Sequence, residues 1–165
     1  MNTPTASCTV LVVDPCRETQ AQILGHMQDR GFSVITASDP STALATIELT
    51  APDIVLTDSF LPEGSGLTLT KTLRSRHVPC PVIVMAAHQS EQAVIHALRA
   101  GAVDFLQKPI GVEELAHALG GQLHLYQLLD LAEREAQVLE RQDAVQARQL
   151  FDGIVTIAGV TVNPD

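Results

Sequence analysis

Short apolar runs alternate with longer segments of mixed polarity along most of the chain. The apolar runs are rich in β-branched residues, have the length of buried parallel strands, and fall at 9–13, 34–37, 53–57, 82–86 and 103–106. The segments between them place apolar residues at helical spacing over 18–30, 40–50, 67–76 and 90–100. Parallel strands that alternate with helices need right-handed crossovers. The pattern therefore predicts a doubly wound α/β domain, with helices on both faces of a five-stranded parallel sheet.

A long helix is predicted to follow the fifth strand and to begin near Val112. Residues 125–150 contain neither proline nor glycine. Apolar residues follow a heptad-like seam at Leu125, Leu129, Ala132, Ala136 and Leu139. The polar residues Asp143 and Gln146 interrupt the seam before it resumes at Leu150. We interpret residues 8–126 as the domain and 127–150 as a helical linker. The linker is either an amphipathic helix packed on its own domain or a parallel coiled coil between two chains.

The end of the chain, residues 151–165, is predicted to form two short β segments around Gly159. Segments of this length are too short to bury a core alone. We therefore interpret them as the start of a truncated effector domain or of another C-terminal extension.

The charge of the chain narrows its binding partners. Ten Lys and Arg residues against nineteen Asp and Glu residues give a formal net charge of −9. An acidic surface repels phosphate backbones and anionic lipids, so we expect no direct nucleic-acid binding by this segment and no membrane association. The sequence has no long apolar segment and no signal peptide, and Cys8, Cys16 and Cys80 lack CxxC spacing. We therefore expect a cytoplasmic protein with reduced thiols.

Charged residues follow three of the predicted strands, at the edge where a doubly wound sheet binds its ligands. Asp14 follows the first strand, Asp58 the third and Lys108 the fifth, while Ala86 ends the fourth. Two carboxylates suit an oxygen-preferring cation such as Mg²⁺, and a nearby ammonium group neutralises a transferred phosphoryl group. A carboxylate in these surroundings is itself a candidate phosphoryl acceptor.

Four sequence blocks carry a family resemblance. They are LVVD at 11–14, PDIVLTD at 52–58, LPEGSG at 61–66 and GAVDFLQKP at 101–109. In this order and spacing they resemble the receiver domains of response regulators in two-component signalling, the CheY-like family, over residues 8–126. The resemblance implies a flavodoxin-like sheet of strand order 2-1-3-4-5. It also implies no enzymatic activity beyond self-phosphotransfer from a phosphohistidine donor.

The resemblance further implies roles for individual residues. Asp58 is expected to be the phosphoacceptor, and Asp14, Asp58 and the backbone carbonyl of Phe60 are expected to hold Mg²⁺. Lys108 is expected to pair with the phosphoryl oxygens and to have a cis peptide bond to the proline that follows it. Phe105 occupies the aromatic switch position of the family.

Two residues depart from the family pattern. Pro15 replaces an acidic residue that usually follows the first, so one metal-binding carboxylate is missing, and Glu18 lies further into the helix. A pair of unit charges at ~4 Å attracts with ~4 kcal/mol at an effective dielectric constant of ~20, before desolvation is subtracted. We therefore expect weak Mg²⁺ binding. Ala86 replaces a serine or threonine whose hydroxyl contacts the phosphoryl group in the family. We expect the loss of this hydroxyl to uncouple the aromatic switch.

Two further residues near the site have a functional and a simpler interpretation. His88 lies two residues after Ala86 and is a candidate donor to a phosphoryl oxygen, although a loop histidine is usually just solvated. Cys16 is a candidate redox-sensitive thiol, although a single cysteine near a helix start is usually structural.

These observations support two hypotheses. In the first, a sensor histidine kinase or a phosphotransfer protein phosphorylates Asp58, and a homodimeric helix passes the signal to an effector. We expect a transcriptional effector because residues 157–165 faintly resemble the opening strands of winged-helix regulators, although they also resemble those of sensor domains with a mixed sheet. In the second, a degenerate receiver serves as a dimerisation or docking module without phosphotransfer. An enzyme that acts on a small molecule is disfavoured, because no glycine-rich cofactor loop follows the first strand.

Overall fold

The structure is a computed structural model that describes the backbone of residues 8–157, and the side chains of that range except 125–131, 133, 147 and 150–157. The strands are β1 Thr9–Val13, β2 Ser33–Ala37, β3 Ile54–Asp58, β4 Phe60–Leu61, β5 Gly64–Ser65, β6 Val82–Ala86 and β7 Asp104–Gln107. The helices are α1 Arg17–Gln28, α2 Pro40–Thr50, α3 Gly66–Ser75, α4 Glu91–Arg99 and α5 Val112–Ile157. Every strand predicted from the sequence is present, as are the four helices predicted between them.

The five longer strands form one parallel sheet in the order β2-β1-β3-β6-β7. This order confirms the predicted doubly wound topology, and the order of strands reverses between β1 and β3. In such sheets, ligands bind beyond the carboxyl ends of the strands at the reversal. The residues that follow β1 and β3 therefore lie where a functional site is expected.

Two apolar layers cover the two faces of the sheet. Along β1, Val10 and Val12 belong to the layer that contains residues of α1 and α5. Leu11 and Val13 belong to the layer that contains residues of α2 and α3. All four side chains are fully buried. A strand covered on both faces reads as a continuous apolar run rather than an alternating one, which is why these strands are visible in the sequence.

Side-chain caps set where three of the helices begin. Asp39 accepts a hydrogen bond from the N–H of Thr42 at 2.8 Å, directly before α2. Ser65 and Ser90 cap α3 and α4 in the same way. Each cap satisfies an N–H group that the helix itself leaves without a partner. The cap at Ser65 starts α3 immediately after β5 and so keeps the helix close to the end of β3.

A short antiparallel pair, β4 with β5, follows β3. The sequence pattern does not predict it because strands of two residues are too short to show a periodicity, and Pro62 and Gly64 are typical of turns. Glu63 adopts a φ of 58° at the turn. The pair returns the chain to β3, where the N–H of Gly66 donates to the carbonyl of Ser59 at 3.2 Å.

Helix α5 continues through Ile157. The prediction of a β segment from residue 151 is therefore wrong for 151–157, and residues 158–165 lie outside the described range. The β-branched residues at 154–157 favour a strand locally, but no proline interrupts the preceding helix, and helix propagation adds one hydrogen bond per residue. The assignments of 127–150 to a linker and of 151–165 to an extension stay predictions. No helix in the described range, α5 included, is long and apolar enough to cross a membrane.

The chain divides into two compact units after Leu123. In the first unit, α5 buries Leu115 and Leu119 in the core. Gly120 and Gly121 follow in the same helix, and apart from their chain neighbours and the backbone of the helix itself, no atom lies within 4 Å of the position that a Cβ would take at either residue. A glycine inside a helix costs about 1 kcal/mol relative to alanine. The two glycines therefore weaken α5 directly before the division between the units, and no steric contact requires them.

Gly66 is required by a close backbone contact, because a Cβ at this position would lie 2.2 Å from the backbone oxygen of Asp58. We expect Gly66→Ala to lower the free energy of unfolding by about 2 kcal/mol or more, since the backbone must shift to relieve the overlap. The control is Gly25→Ala in α1, where no atom lies within 4 Å of the added methyl group. Alanine should raise the free energy of unfolding there by up to about 1 kcal/mol. Urea denaturation measures both changes, and similar values for the two variants would contradict the steric explanation.

Candidate functional site

The carboxyl edge of the sheet brings together the three charged residues that the sequence singles out. Asp14 directly follows β1, Asp58 is the last residue of β3, and Lys108 directly follows β7. The Nζ of Lys108 donates to Oδ2 of Asp14 at 2.5 Å and to Oδ2 of Asp58. One ammonium group thus connects two carboxylates at the reversal of strand order.

Asp14 is completely buried, and each of its polar atoms has a partner. Its N–H donates to the carbonyl of Ala37 at 3.0 Å, and its own carbonyl accepts from the side-chain amide of Gln20 at 2.6 Å. Its Oδ1 accepts from the N–H of Cys16 at 2.8 Å, while Oδ2 is paired with Lys108. A buried carboxylate needs such compensation for its lost hydration, and these contacts fix the direction of the side chain.

Asp58 is held by its own loop and keeps some contact with solvent. Its Oδ1 accepts from the N–H of Phe60 at 2.9 Å and from the hydroxyl of Ser59 at 3.5 Å. Its Oδ2 pairs with Lys108, and 14% of the side-chain surface is exposed. Asp58 is therefore fixed in position and still accessible to a reactant.

Lys108 stays charged in this environment. Burial lowers the pKa of its ammonium group, but hydrogen bonds and charge from Asp14 and Asp58 outweigh burial and raise the pKa above its ordinary value. The backbone N–H of Lys108 donates to the carbonyl of Ala86 at 2.8 Å. The peptide bond to Pro109 is cis, which confirms the prediction. Two carboxylates and one ammonium group leave the cluster with a formal charge of one negative unit.

The switch residues Ala86 and Phe105 lie on β6 and β7, and the candidate hydrogen-bond donor His88 and the expected metal ligand Phe60 lie on neighbouring segments. Ala86 ends β6, is buried and meets Lys108 through its backbone. Phe105 lies in β7, is partly buried, and packs against an apolar cluster between the sheet and α4. His88 is exposed two residues beyond Ala86. Phe60 starts β4 and is 81% exposed as a residue.

The loop between β1 and α1 carries the departure from the family pattern. Pro15, Cys16 and Glu18 are all exposed, and Cys16 is the residue directly before α1. Within the described residues, no group of three or more His, Cys, Asp or Glu side chains is arranged to hold a metal ion. The acidic ligands that the cluster offers to a cation are therefore Asp14 and Asp58.

Two contributors to the site are missing from the sequence-based candidates. Gln20 lies in the first half of α1, where a polar residue reads as part of the solvated face, so no sequence signal indicates its contact with Asp14. Gly66 belongs to one of the four sequence blocks, but its steric role is visible only in its distance from the backbone of Asp58.

The fold and the site together define a class of α/β domain, in which a doubly wound parallel sheet carries a cluster of two aspartates and a lysine at its switch point. Comparison with known proteins identifies the family within this class. The response regulator receiver domain matches residues 10–120. The chain belongs to the response regulator receiver domain family.

Relatives and solved structures agree with this assignment. Transcriptional regulatory protein KdpE of Staphylococcus aureus is 40% identical over 84 residues, which cover 51% of this chain and 36% of KdpE. Transcriptional regulatory protein DpiA of Escherichia coli is 34% identical over 119 residues, which cover 70% of this chain and 52% of DpiA. The chain thus spans about half of these relatives or less. The signal receiver domain of a putative Luxo repressor protein from Vibrio parahaemolyticus has a TM-score of 0.74 at 26% identity, covering 77% of this chain and 98% of that domain.

The chain has two lysines, Lys71 and Lys108. The contribution of Lys108 to stability can therefore be separated from ordinary lysine titration by comparison with a single control lysine. Because the pKa of Lys108 is raised in the folded protein, its contribution is present at neutral pH and is lost as pH rises through the folded-state pKa. We expect Lys108→Met to lower the free energy of unfolding at neutral pH by about 3 kcal/mol, since the buried Asp14 loses its charged partner. As pH rises above the ordinary lysine pKa of ~10.4, the parent should lose more stability than this variant.

The control is Lys71→Met on the exposed surface of α3. This variant should have the same free energy of unfolding as the parent at neutral pH and should lose as much of it at alkaline pH. Subtracting the free energies of two proteins at each pH cancels the titration of groups that both proteins share. Denaturant unfolding over this pH range is the measurement. A Lys108→Met variant with the full alkaline loss of the parent would show that the cluster does not stabilise the fold.

Proposed function

We propose that the domain accepts a phosphoryl group on Asp58 and passes this state to an effector. The observation that carries the proposal is the ion-pair cluster of Asp14, Asp58 and Lys108, in which a partly exposed carboxylate lies beside a charged ammonium group. A phosphoryl group that arrives there meets a positive charge that is already oriented. The proposed donor is a phosphohistidine of a sensor histidine kinase or of a phosphotransfer protein.

The proposed transfer is a displacement at phosphorus. A carboxylate oxygen of Asp58 forms the new O–P bond while the N–P bond of the donor phosphohistidine breaks, and the released imidazole nitrogen takes up a proton. The Lys108 ammonium moves its hydrogen bonds from the carboxylates to the phosphoryl oxygens. Asp14 stays in place because the carbonyl of Ala37, the N–H of Cys16 and the side-chain amide of Gln20 hold its remaining polar atoms.

Mg²⁺ would supply further positive charge to this reaction when bound. The proposed ligands are the carboxylates of Asp14 and Asp58 and the backbone carbonyl of Phe60, which are the oxygen donors that Mg²⁺ prefers. This donor set fits Mg²⁺, which proteins usually bind through one or two carboxylates together with water and substrate oxygens. Pro15 removes one further carboxylate, so we propose weak binding that needs a high Mg²⁺ concentration.

A second candidate function rests on Ala86. Its side chain offers no hydroxyl to a phosphoryl group, and a hydrogen bond to a charged group contributes ~1.5–3 kcal/mol. Without that bond, phosphorylation of Asp58 would change the position of Phe105 less, and Phe105 is packed against an apolar cluster. The alternative is therefore a pseudo-receiver that acts as a phosphorylation-independent dimerisation or docking module, and labelling of Asp58 separates the two functions.

The proposed output is transcriptional. KdpE and DpiA are transcriptional regulatory proteins, and the matched region accounts for 36% and 52% of their lengths. A receiver joined to a further domain is therefore the organisation that we propose for the whole protein.

The proposed assembly is a homodimer formed through α5. Ala132, Ala136 and Leu139 of the predicted seam are exposed, and Leu139 exposes 60% of its surface. Val138 and Val145, which the predicted seam omits, expose 52% and 55%. The side chains of the seam residues at 125, 129 and 150 lie outside the described range. Exposed apolar side chains along one helix favour packing against the same helix of a second chain, which buries them.

Labelling with a small phosphodonor tests the proposed function. We expect mass spectrometry of an acid-stabilised sample to find a phosphoryl adduct on Asp58 that forms slowly and only at high Mg²⁺. Asp58→Asn should lose the adduct, because it removes the acceptor oxygen. Ser59→Ala removes a hydroxyl that donates to Oδ1 of Asp58 at 3.5 Å but leaves both acceptor oxygens in place, so this variant should keep the adduct. No adduct at saturating Mg²⁺ would contradict phosphotransfer and favour the docking module.

Pro15→Asp should strengthen Mg²⁺ binding. The variant restores a carboxylate next to Asp14, and we expect the Mg²⁺ affinity to rise by about tenfold or more, since desolvation offsets only part of the added attraction. Titration of backbone amide signals with Mg²⁺ measures the affinity. Glu18→Gln is the control and should leave the affinity of the parent unchanged. A fall in affinity in Glu18→Gln would instead identify Glu18 as a substitute ligand.

Leu139→Glu should disrupt the proposed dimer. We expect the parent to be a dimer at high micromolar concentration and to release monomer on dilution, because the small alanines of the seam bury little area at ~25 cal/mol per Å². Leu139→Glu should be a monomer, whereas Ala144→Glu, which adds the same charge on the opposite side of α5, should stay a dimer. Sedimentation velocity distinguishes these states. A monomeric parent would contradict the dimer, as would a dimeric Leu139→Glu.

A further inference from the structure

The side chain of Gln20 connects the ends of two neighbouring strands. Its Nε2 donates to the carbonyl of Asp14 at 2.6 Å and to the carbonyl of Ala37 at 3.1 Å. Both partners are carbonyl oxygens, which can only accept, so the amide nitrogen must be the atom that faces them. Gln20 thus uses both of its N–H bonds to tie α1 to the carboxyl ends of β1 and β2.

The two carbonyls belong to the backbone that leads into the site. Ala37 ends β2, and its carbonyl also accepts the N–H of Asp14 at 3.0 Å. The carbonyl of Asp14 belongs to the peptide group that joins Asp14 to Pro15. Proline has no N–H, so this peptide group has a carbonyl but no donor through which the surroundings can hold it. The hydrogen bond from Gln20 is therefore the contact that fixes its plane.

We propose that Gln20 is a positioning residue for Asp14, and the proposal rests on the phosphoryl-transfer function proposed above for this site. Gln20 donates to the backbone of Asp14 and not to its carboxylate. The orientation of the peptide group sets the course of the chain through Pro15 and thereby places the N–H of Cys16, which donates to Oδ1 of Asp14. With Oδ1 held there, Oδ2 lies against the ammonium group of Lys108. Gln20 thereby presents Asp14 in the orientation that a divalent cation would meet.

Gln20→Met tests this role, because methionine keeps the length and the helix propensity of glutamine but has no N–H to donate. Gln22→Met on the exposed side of α1 is the matched control. The rate of Asp58 labelling is measured as a function of Mg²⁺ concentration. We expect the half-saturating Mg²⁺ concentration to rise about tenfold in Gln20→Met, with a maximal rate within about twofold of the parent. Gln22→Met should change neither value.

Two outcomes of this titration overturn the proposal. One is an unchanged half-saturating Mg²⁺ concentration in Gln20→Met. The other is a lower maximal rate at an unchanged half-saturating concentration, which would indicate a general loss of structure rather than misplacement of a metal ligand.

Hydrogen exchange at Cys16 gives a readout that does not depend on phosphorylation. The N–H of Cys16 donates to Oδ1 of Asp14 at 2.8 Å, so we expect its exchange to become about tenfold faster when Asp14 turns away. Gln22→Met should keep the exchange rate of the parent. Parent-like exchange in Gln20→Met overturns the positioning role. Absence of labelling in the parent contradicts the proposed function instead, and exchange at Cys16 then decides the role of Gln20 alone.

Discussion

The ammonium group of Lys108, shared between two carboxylates, is the interaction on which the edge of this sheet depends. Asp14 has no exposed surface, and a buried carboxylate is tolerated only with a charged partner and hydrogen bonds. The strands β1, β3 and β7 must therefore end at points that the lysine side chain joins. Removal of Lys108 leaves two acids that repel each other, whereas removal of either acid leaves the other paired. The cluster depends more on its single lysine than on either aspartate.

The backbone near the cluster limits how far either acid can move. Asp58 is held at its carboxylate by the N–H of Phe60, and its backbone oxygen lies so close to Gly66 that a side chain there would overlap it. Asp14 is held through its N–H, its carbonyl and its carboxylate. A group that binds at the site therefore meets acids of fixed position, and Lys108 is the residue free to exchange its partners.

The sequence predicts the sheet and the cluster because both depend on local features. Buried parallel strands are continuous apolar runs, and the residue after each run lies at the carboxyl edge, so Asp14, Asp58 and Lys108 are identified together. The contact of Gln20 depends on how far α1 lies from the ends of β1 and β2, which no local pattern contains. The prediction of a strand at 151–157 is wrong because it relies on a local feature alone. The β-branched residues there favour a strand, but the preceding helix propagates through them.

The glycine pair at 120–121 has a mechanical consequence for the receiver fold. Glycine leaves the backbone freer than alanine does, so α5 opens at lower cost here than it would at an alanine pair. Leu119 before the pair and Leu123 after it both pack on the same core, and Leu123 is only partly buried. The contact of Leu123 can therefore be lost by a local opening at the pair while Leu115 and Leu119 stay buried.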